Sequence, residues 1–157
     1  MSGFLELQGN KWTAKCFKGE PEIKINPTSI HQSVSLLDSQ KSIFLVEAEK
    51  VTAINLDKCL DCGLVVKANA VLSSIDLINC KKIKVEVDAA VPTICIDGCE
   101  AVTFYLSPEH PSPEFITSKC CEIVIVRGEQ EFLIPEQFKS RLEGDGLMTA
   151  PVEHVGV

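Results

Sequence analysis

The apolar residues of this chain alternate with polar ones in short bursts, and the bursts recur. One copy runs Ile75-Asp76-Leu77-Ile78-Asn79-Cys80-Lys81-Lys82-Ile83-Lys84-Val85-Glu86-Val87. The next runs Ile94-Cys95-Ile96-Asp97-Gly98-Cys99-Glu100-Ala101-Val102-Thr103-Phe104-Tyr105-Leu106. In both, apolar residues stand five and three positions before a cysteine and three, five and seven after it. An upstream copy has Ile54 and Leu56, then Cys59, then Cys62, Leu64 and Val66. A downstream copy has Phe115, Cys120, Ile123 and Ile125, with Thr117 breaking the alternation. A weaker copy has Val34 and Leu36, Ser39 in the cysteine slot, then Phe44 and Val46. Cys59, Cys80, Cys99 and Cys120 are 21, 19 and 21 residues apart. A fixed period near twenty marks a repeat architecture.

Alternation with period two predicts strands that bury one face. Each copy therefore holds two short strands with a bend near the cysteine. Val, Ile, Leu and Phe fill the inward slots, as a pleated surface prefers. A hairpin array would need a tight turn between successive strands. Asn-Gly is absent, and Asp97-Gly98 is the one Asp-Gly near a repeat. The pattern predicts an all-β fold, a right-handed parallel β-helix of about six coils. Like residues stack in columns at about 4.8 Å. A single coil cannot bury its face, so stability comes from neighbours.

Composition narrows this little. With 157 residues, 45% of them apolar, one domain has an ample core. No apolar run is long enough for a membrane-spanning helix, and the first residues lack the pattern of a secretory signal. The eight cysteines are then expected to be reduced thiols in a cytoplasmic protein. The net charge of −7 is unevenly spread. Residues 1–84 carry 11 Lys against 9 Asp and Glu, whereas residues 85–157 carry 4 Lys and Arg against 13 Asp and Glu. Lysines on the coil exteriors suit an acidic protein partner, or are ordinary solvated lysines. The acidic balance, with no basic stripe interleaved with aromatics, argues against nucleic acid.

No metal site or cofactor is expected. Cys59 and Cys120 occupy equivalent slots three coils apart, about 14 Å at strand spacing, too far for one zinc ion. The repeating cysteines read as small residues buried in a ladder. His31, His110 and His154 share no ligand spacing, and no nucleophile elbow or phosphate loop occurs.

The ends depart from the period. Residues 4–12 read as strand, turn and strand, with Trp12 over the open end of the core. Residues 13–31 are less regular, with Gly19, Pro21 and Pro27 as breakers. Pro108, Pro111 and Pro113 mark an exposed loop before the last coil. Residues 1–126 form the coil body, and residues 127–157 form a hairpin and tail. There, Phe132-Leu133-Ile134-Pro135 reads as a strand, residues 136–142 as one or two turns of helix, and residues 147–152 as a strand. A detached hairpin is marginal alone. Exchange of such an element between two copies makes a dimer at low cost. Phe132, Leu133, Ile134, Pro135, Phe138, Leu147 and Met148 are the expected dimerisation residues.

Several stretches carry a family resemblance. Leu5-Glu6-Leu7-Gln8-Gly9-Asn10-Lys11-Trp12 is similar to an opening strand ending Gly-x-Lys-Trp, and Asn79-Cys80-Lys81-Lys82 to an Asn-Cys-Lys-Lys element. Val91-Pro92-Thr93-Ile94 is similar to a Val-Pro-Thr-Ile step. Pro135-Glu136-Gln137-Phe138-Lys139 matches a Pro-Glu-Gln-Phe-Lys motif. Together they resemble the C-terminal domain of cyclase-associated protein, over essentially the whole chain. The resemblance implies a parallel β-helix that dimerises by exchanging C-terminal hairpins. It implies binding of monomeric actin, the ADP form above all, and faster exchange of actin's nucleotide, with no catalytic residue and a place in the actin cytoskeleton. It places the actin contact on a strand-lined face, here Lys41, Lys58, Lys81 and Lys82, and on the tail Val152, Glu153, His154 and Val155. The helical domain, proline-rich stretch and actin-binding helix of longer members find no counterpart in these residues, which read as a short stand-alone form.

Two other functions compete. A carbohydrate-active β-helix enzyme needs paired carboxylates in one file, and Asp57 and Asp76 fall out of step with each other. A GTPase-activating module of the tubulin-cofactor type needs an arginine finger. The two arginines, Arg127 and Arg141, lie outside the repeats.

Overall fold

The computed structural model describes residues 3–152. Seventeen strands account for the regular structure, and no α-helix occurs among the described residues. A short antiparallel pair opens the chain, β1 (Phe4–Gln8) and β2 (Lys11–Lys15). Then follow β3 (Ile23–Ile25), β4 (Ser33–Leu37), β5 (Ile43–Glu47), β6 (Lys50–Val51), β7 (Ile54–Asp57), β8 (Leu60–Val71), β9 (Ser74–Ile78) and β10 (Lys81–Ala90). The last coils add β11 (Thr93–Asp97), β12 (Glu100–Leu106), β13 (Glu114–Ser118) and β14 (Cys121–Arg127). Outside the coils come β15 (Gln130–Leu133), β16 (Phe138–Glu143) and β17 (Gly146–Pro151).

The coil strands sort into two sheets. One has the order β1-β2-β4-β7-β9-β11-β13, the other β15-β14-β12-β10-β8-β5-β3. Each coil contributes one strand to each, and strands of successive coils pair in parallel. The pairs β2/β3, β4/β5, β7/β8, β9/β10, β11/β12 and β13/β14 make six coils of a parallel β-helix. The period-two reading holds, and the first coil lies in a stretch that looked irregular. Ile23 and Ile25 pair with Phe44 and Val46, one residue late relative to the other coils, which hid the repeat.

Register turns the repeats into columns. Trp12, Val34, Ile54, Ile75, Ile94 and Phe115 stack in the first sheet, beside Ala14, Leu36, Leu56, Leu77, Ile96 and Thr117. In the second, Ile23, Phe44, Leu64, Val85, Phe104 and Ile125 stack. The middle members of every column are buried. Trp12 packs against the core, and its indole N–H donates to Gln32 Oε1 at 2.9 Å.

The bend between the sheets is the same in every coil. The residue before the cysteine slot and the residue two after it both take a left-handed backbone. The pairs are Cys16/Gly19, Asp38/Lys41, Lys58/Asp61, Asn79/Lys82, Gly98/Ala101 and Lys119/Glu122. Between them sit Phe17, Ser39, Cys59, Cys80, Cys99 and Cys120. Such a φ costs an L-residue about 1–2 kcal/mol, so the hydrogen bonds of the bend must hold it. The N–H of Lys58, Asn79 and Gly98 donates to Ile78, Asp97 and Ser118 O of the next coil at 2.9–3.1 Å.

The slot itself explains its residue type. The Phe17 N–H meets Ser39 Oγ at 3.1 Å, and the Cys80 N–H meets Cys99 Sγ at 3.4 Å. The hydroxyl or thiol also donates back to its own bend, as Ser39 Oγ to Leu37 O and Cys80 Sγ to Ile78 O. The cysteines are therefore polar partners as well as small buried residues. All eight are free thiols. Hydrogen bonding to the neighbouring thiol, Cys62 for Cys59 and Cys80 for Cys99, raises both pKa values, and burial raises them further.

Residues 136–142 correct the sequence reading. No helix forms; Phe138–Glu143 is β16, antiparallel to β17. The turn at Gly144-Asp145 joins them, with Gly144 at φ +58°. A seven-residue helix is marginal in water, whereas the hairpin satisfies six residue pairs in register.

Candidate functional site

The bend places the lysines singled out in the sequence. Lys41, Lys58, Lys81 and Lys82 all lie on it, in the second, third and fourth coils, and all are exposed. One edge of the coil stack thus carries these four lysines, with Lys18 below them in the first coil. Asp38 and Asp61 share the same edge in the second and third coils, Glu100 stands on it in the fifth, and Glu122 faces Lys119 in the sixth, so the unbalanced positive charge is Lys81 and Lys82 of the fourth coil, with Lys18 of the first. Lys81 Nζ lies 3.8 Å from Glu100 Oε2, an exposed pair that contributes little to stability. Lys41, Lys58 and Lys82 are three of the left-handed residues, so their backbone directions are set by the bend and not by a partner.

A shallow groove runs beside this edge on the outer face of the second sheet. Ile43, Asp61, Gly63, Lys82, Lys84 and Thr103 line it. Ile43, Gly63, Lys84 and Thr103 form one outward column, and Gly63 leaves it without a side chain. The sequence reading missed Ile43, Gly63 and Thr103. The available signal was a glycine at an outward strand position, flanked in the columns by apolar and basic residues.

The opposite face carries the carboxylates. Asn55, Asp76 and Cys95 stack in one outward column, while Asp57, Ile78 and Asp97 form the next. Asp57 and Asp76 are thus in different files. No group of three or more His, Cys, Asp and Glu side chains is arranged to hold a metal ion among the described residues. His110 is used locally: its Nε2 lies 3.0 Å from Asp88 Oδ1, and Arg127 Nη2 donates to His110 O at 3.4 Å. These bonds hold the loop of Pro108, Pro111 and Pro113 against the coils.

The hairpin residues divide. Phe132, Leu133, Phe138, Leu147 and Met148 are exposed apolar side chains, Leu142 the most exposed at 81%. Pro135 is also exposed. Ile134 instead packs against the core of its own chain, its N–H donating to Ile123 O at 3.0 Å. Val152 N–H donates to Gln137 O at 2.9 Å and closes the base of the hairpin. Glu153, His154 and Val155 lie outside the described residues. The first sheet ends at β13, whose far edge pairs with no described strand. No helix is long and apolar enough to cross a membrane among the described residues.

Comparison with known proteins agrees with this architecture. Residues 2–154 match the family described as adenylate cyclase associated (CAP) C terminal. Adenylyl cyclase-associated protein 2 of Rattus norvegicus is 33% identical over 153 residues, covering 95% of this chain and 31% of the relative. Adenylyl cyclase-associated protein of Dictyostelium discoideum is 33% identical over 156 residues, again over 95% of this chain and 33% of the relative. The chain thus spans about a third of the curated relatives it matches. The crystal structure of cyclase-associated protein from Cryptosporidium parvum superposes with a TM-score of 0.90 at 30% identity, covering 97% of this chain and 96% of that one. Coils, bend and hairpin match as one unit, and the chain belongs to the family of adenylate cyclase-associated protein C-terminal domains.

Proposed function

We propose that this chain binds monomeric actin, the ADP-bound form most tightly, and speeds the exchange of actin's nucleotide. The observation that carries the reading is the family match over nearly the whole chain, 2–154, on a continuous six-coil body. Actin holds its nucleotide in a cleft between two lobes. A binder that prefers the open cleft shifts the population toward it, and ADP leaves faster without chemistry by the binder. A stack with buried columns and satisfied bends is stiff enough to favour one state of its partner. The lysine-rich edge of Lys41, Lys58, Lys81 and Lys82, with the adjoining groove, supplies a surface complementary to an acidic protein. The tail Val152, Glu153, His154 and Val155 adds a second contact. These roles place the chain in the cytoplasm with the actin cytoskeleton.

The hairpin serves self-association. Exposed apolar residues on β15–β17, next to a coil stack with an unpaired edge, suit exchange between two copies. The deciding experiment is release of a fluorescent nucleotide from ADP-loaded actin monomers, with and without this chain. Acceleration that saturates with chain concentration is expected. The absence of both binding and acceleration overturns the reading.

A further inference from the structure

We propose that Ser112 is a phosphorylation site for a proline-directed serine/threonine kinase, and that the fold withholds the matching Ser107. The chain has two Ser-Pro steps and no Thr-Pro, and both continue into glutamate: Ser107-Pro108-Glu109 and Ser112-Pro113-Glu114. A kinase of this class needs proline directly after the acceptor serine, so the two steps look alike to it in sequence. They differ in structure. The inference rests on the loop between β12 and β13 and is independent of actin binding.

Ser107 is half-buried and tied down at three atoms. Its N–H donates to Val87 O at 3.1 Å, its carbonyl accepts the His110 N–H at 3.4 Å, and its Oγ accepts the Glu109 N–H at 3.3 Å. Ser112 is exposed, and residues 111–113 make no hydrogen bond among the described residues. Covalent constraints keep it extended. Pro111 and Pro113 fix their own φ and offer no N–H, and a residue before proline is pushed into the β or polyproline II region, as His110 and Ser112 both are. Protein kinases take their substrate segment in extended form, so Ser112 is presented in the shape the cleft accepts. The segment is anchored on both sides. His110 Nε2 lies 3.0 Å from Asp88 Oδ1, Arg127 Nη2 donates to His110 O at 3.4 Å, and the Glu114 N–H donates to Pro92 O at 3.0 Å. The three residues between these anchors can leave the surface without breaking a ladder bond. They lie at the corner where the chain returns from the second sheet to the first, whereas pairing of a second copy's hairpin with β13 concerns residues 114–118.

The phosphoryl donor is ATP with magnesium. Ser112 Oγ attacks the γ-phosphorus in line; the bond from that phosphorus to the oxygen bridging to the β-phosphate breaks, and ADP leaves. The hydroxyl proton passes to the catalytic aspartate of the kinase. The product carries about −1.5 to −2 charge and three strong acceptor oxygens. Residues 107–118 hold no lysine or arginine, so the phosphate is not neutralised by its own segment. It is displayed for recognition by an arginine cluster of a partner.

The test incubates the whole chain with ATP, magnesium and a purified proline-directed kinase, one of the cyclin-dependent class and one of the mitogen-activated class in turn. Phosphate is located by trypsin digestion and fragment mass spectrometry. Cleavage after Lys84 and Lys119 puts both serines in peptide 85–119, whose fragment ions separate them. Phosphate is expected on Ser112 at least about tenfold faster than on Ser107, where hydrogen bonds must open first. Ser112→Ala is expected to abolish the modification and Ser107→Ala to leave it in place, with circular dichroism showing that both variants are folded. Phe138→Glu with Leu142→Glu, which removes association through the hairpin, is expected to be modified at the wild-type rate. Absence of phosphate from Ser112 with both kinases overturns the inference, as do equal rates at the two serines. A rate in the hairpin variant far above that of the wild type also overturns it, because a second copy would then cover the segment.

Discussion

The coil body and the C-terminal hairpin are both made of short strands, yet they stand in opposite relations to water. In β9 the inward residues Ile75 and Leu77 are completely buried between coils. In β16 and β17 every residue is exposed, including Phe138, Leu142, Leu147 and Met148. Alternation of apolar and polar residues is therefore not what makes the body stable. Stacking is: a coil strand has a neighbour on each side, whereas the hairpin has only its own second strand. Two strands are marginal by themselves. The hairpin's apolar side chains need a surface that this single chain does not provide.

Breaking the body gives the largest effect. Leu77→Ala removes a buried column residue and should destabilise the fold by about 2–5 kcal/mol in denaturant unfolding. Leu142→Ala on the hairpin should stay within about 0.5 kcal/mol when measured at concentrations that keep the chain monomeric. Equal losses at the two sites would erase the contrast between the regions.

Self-association sharpens it next. Phe138→Glu together with Leu142→Glu should convert a dimer to a monomer in light scattering, with the β-sheet circular dichroism unchanged. A wild-type chain that remains monomeric at micromolar concentration would leave the hairpin's apolar face without its proposed use.

The bend offers a graded test within the body. A Cβ on Gly98 would meet Asn79 Oδ1 at 2.7 Å and would sit at φ +65°. Gly98→Ala should cost at least about 1–2 kcal/mol. Lys58→Gly, at φ +55°, should instead be neutral or gain up to about 1 kcal/mol, because glycine takes this conformation without strain. The same substitution removes one charge of the proposed actin edge. Unchanged stability with weaker actin binding would separate the two roles of Lys58.

The smallest stability effect belongs to that edge. Lys81→Glu with Lys82→Glu should change unfolding by less than about 1 kcal/mol, since both side chains are exposed. Actin affinity should fall, most clearly at low salt where surface charges are least screened. An unaltered affinity would remove these lysines from the contact.

Much of the body was legible in the residues. The Cys59-Cys80-Cys99-Cys120 interval, with apolar residues at fixed offsets, sufficed for the two strands per coil and for the columns. The first coil was not legible, because Ile23 and Ile25 sit one residue out of step and Phe17 fills the slot. Nor were the left-handed positions. Ten of them carry side chains, five of which are lysines or glutamates, residue types that do not announce a positive φ. In the inner coils they are held by hydrogen bonds donated to the next coil, as from the N–H of Asp38, Lys41, Lys58 and Asn79. The candidate edge was legible only as scattered lysines; that Lys41, Lys58, Lys81 and Lys82 share one bend follows from stacking. The groove escaped notice because Ile43, Gly63 and Thr103 come from three different coils.

Local order along the chain determined that this protein is built of repeated two-strand coils, since side-chain alternation and a twenty-residue period are properties of consecutive residues. Tertiary structure decided which charges meet on one edge and that residues 138–151 form an exposed hairpin. Those outcomes depend on pairing between residues about twenty positions apart, or on the absence of a neighbouring coil, and no local pattern of side chains encodes either.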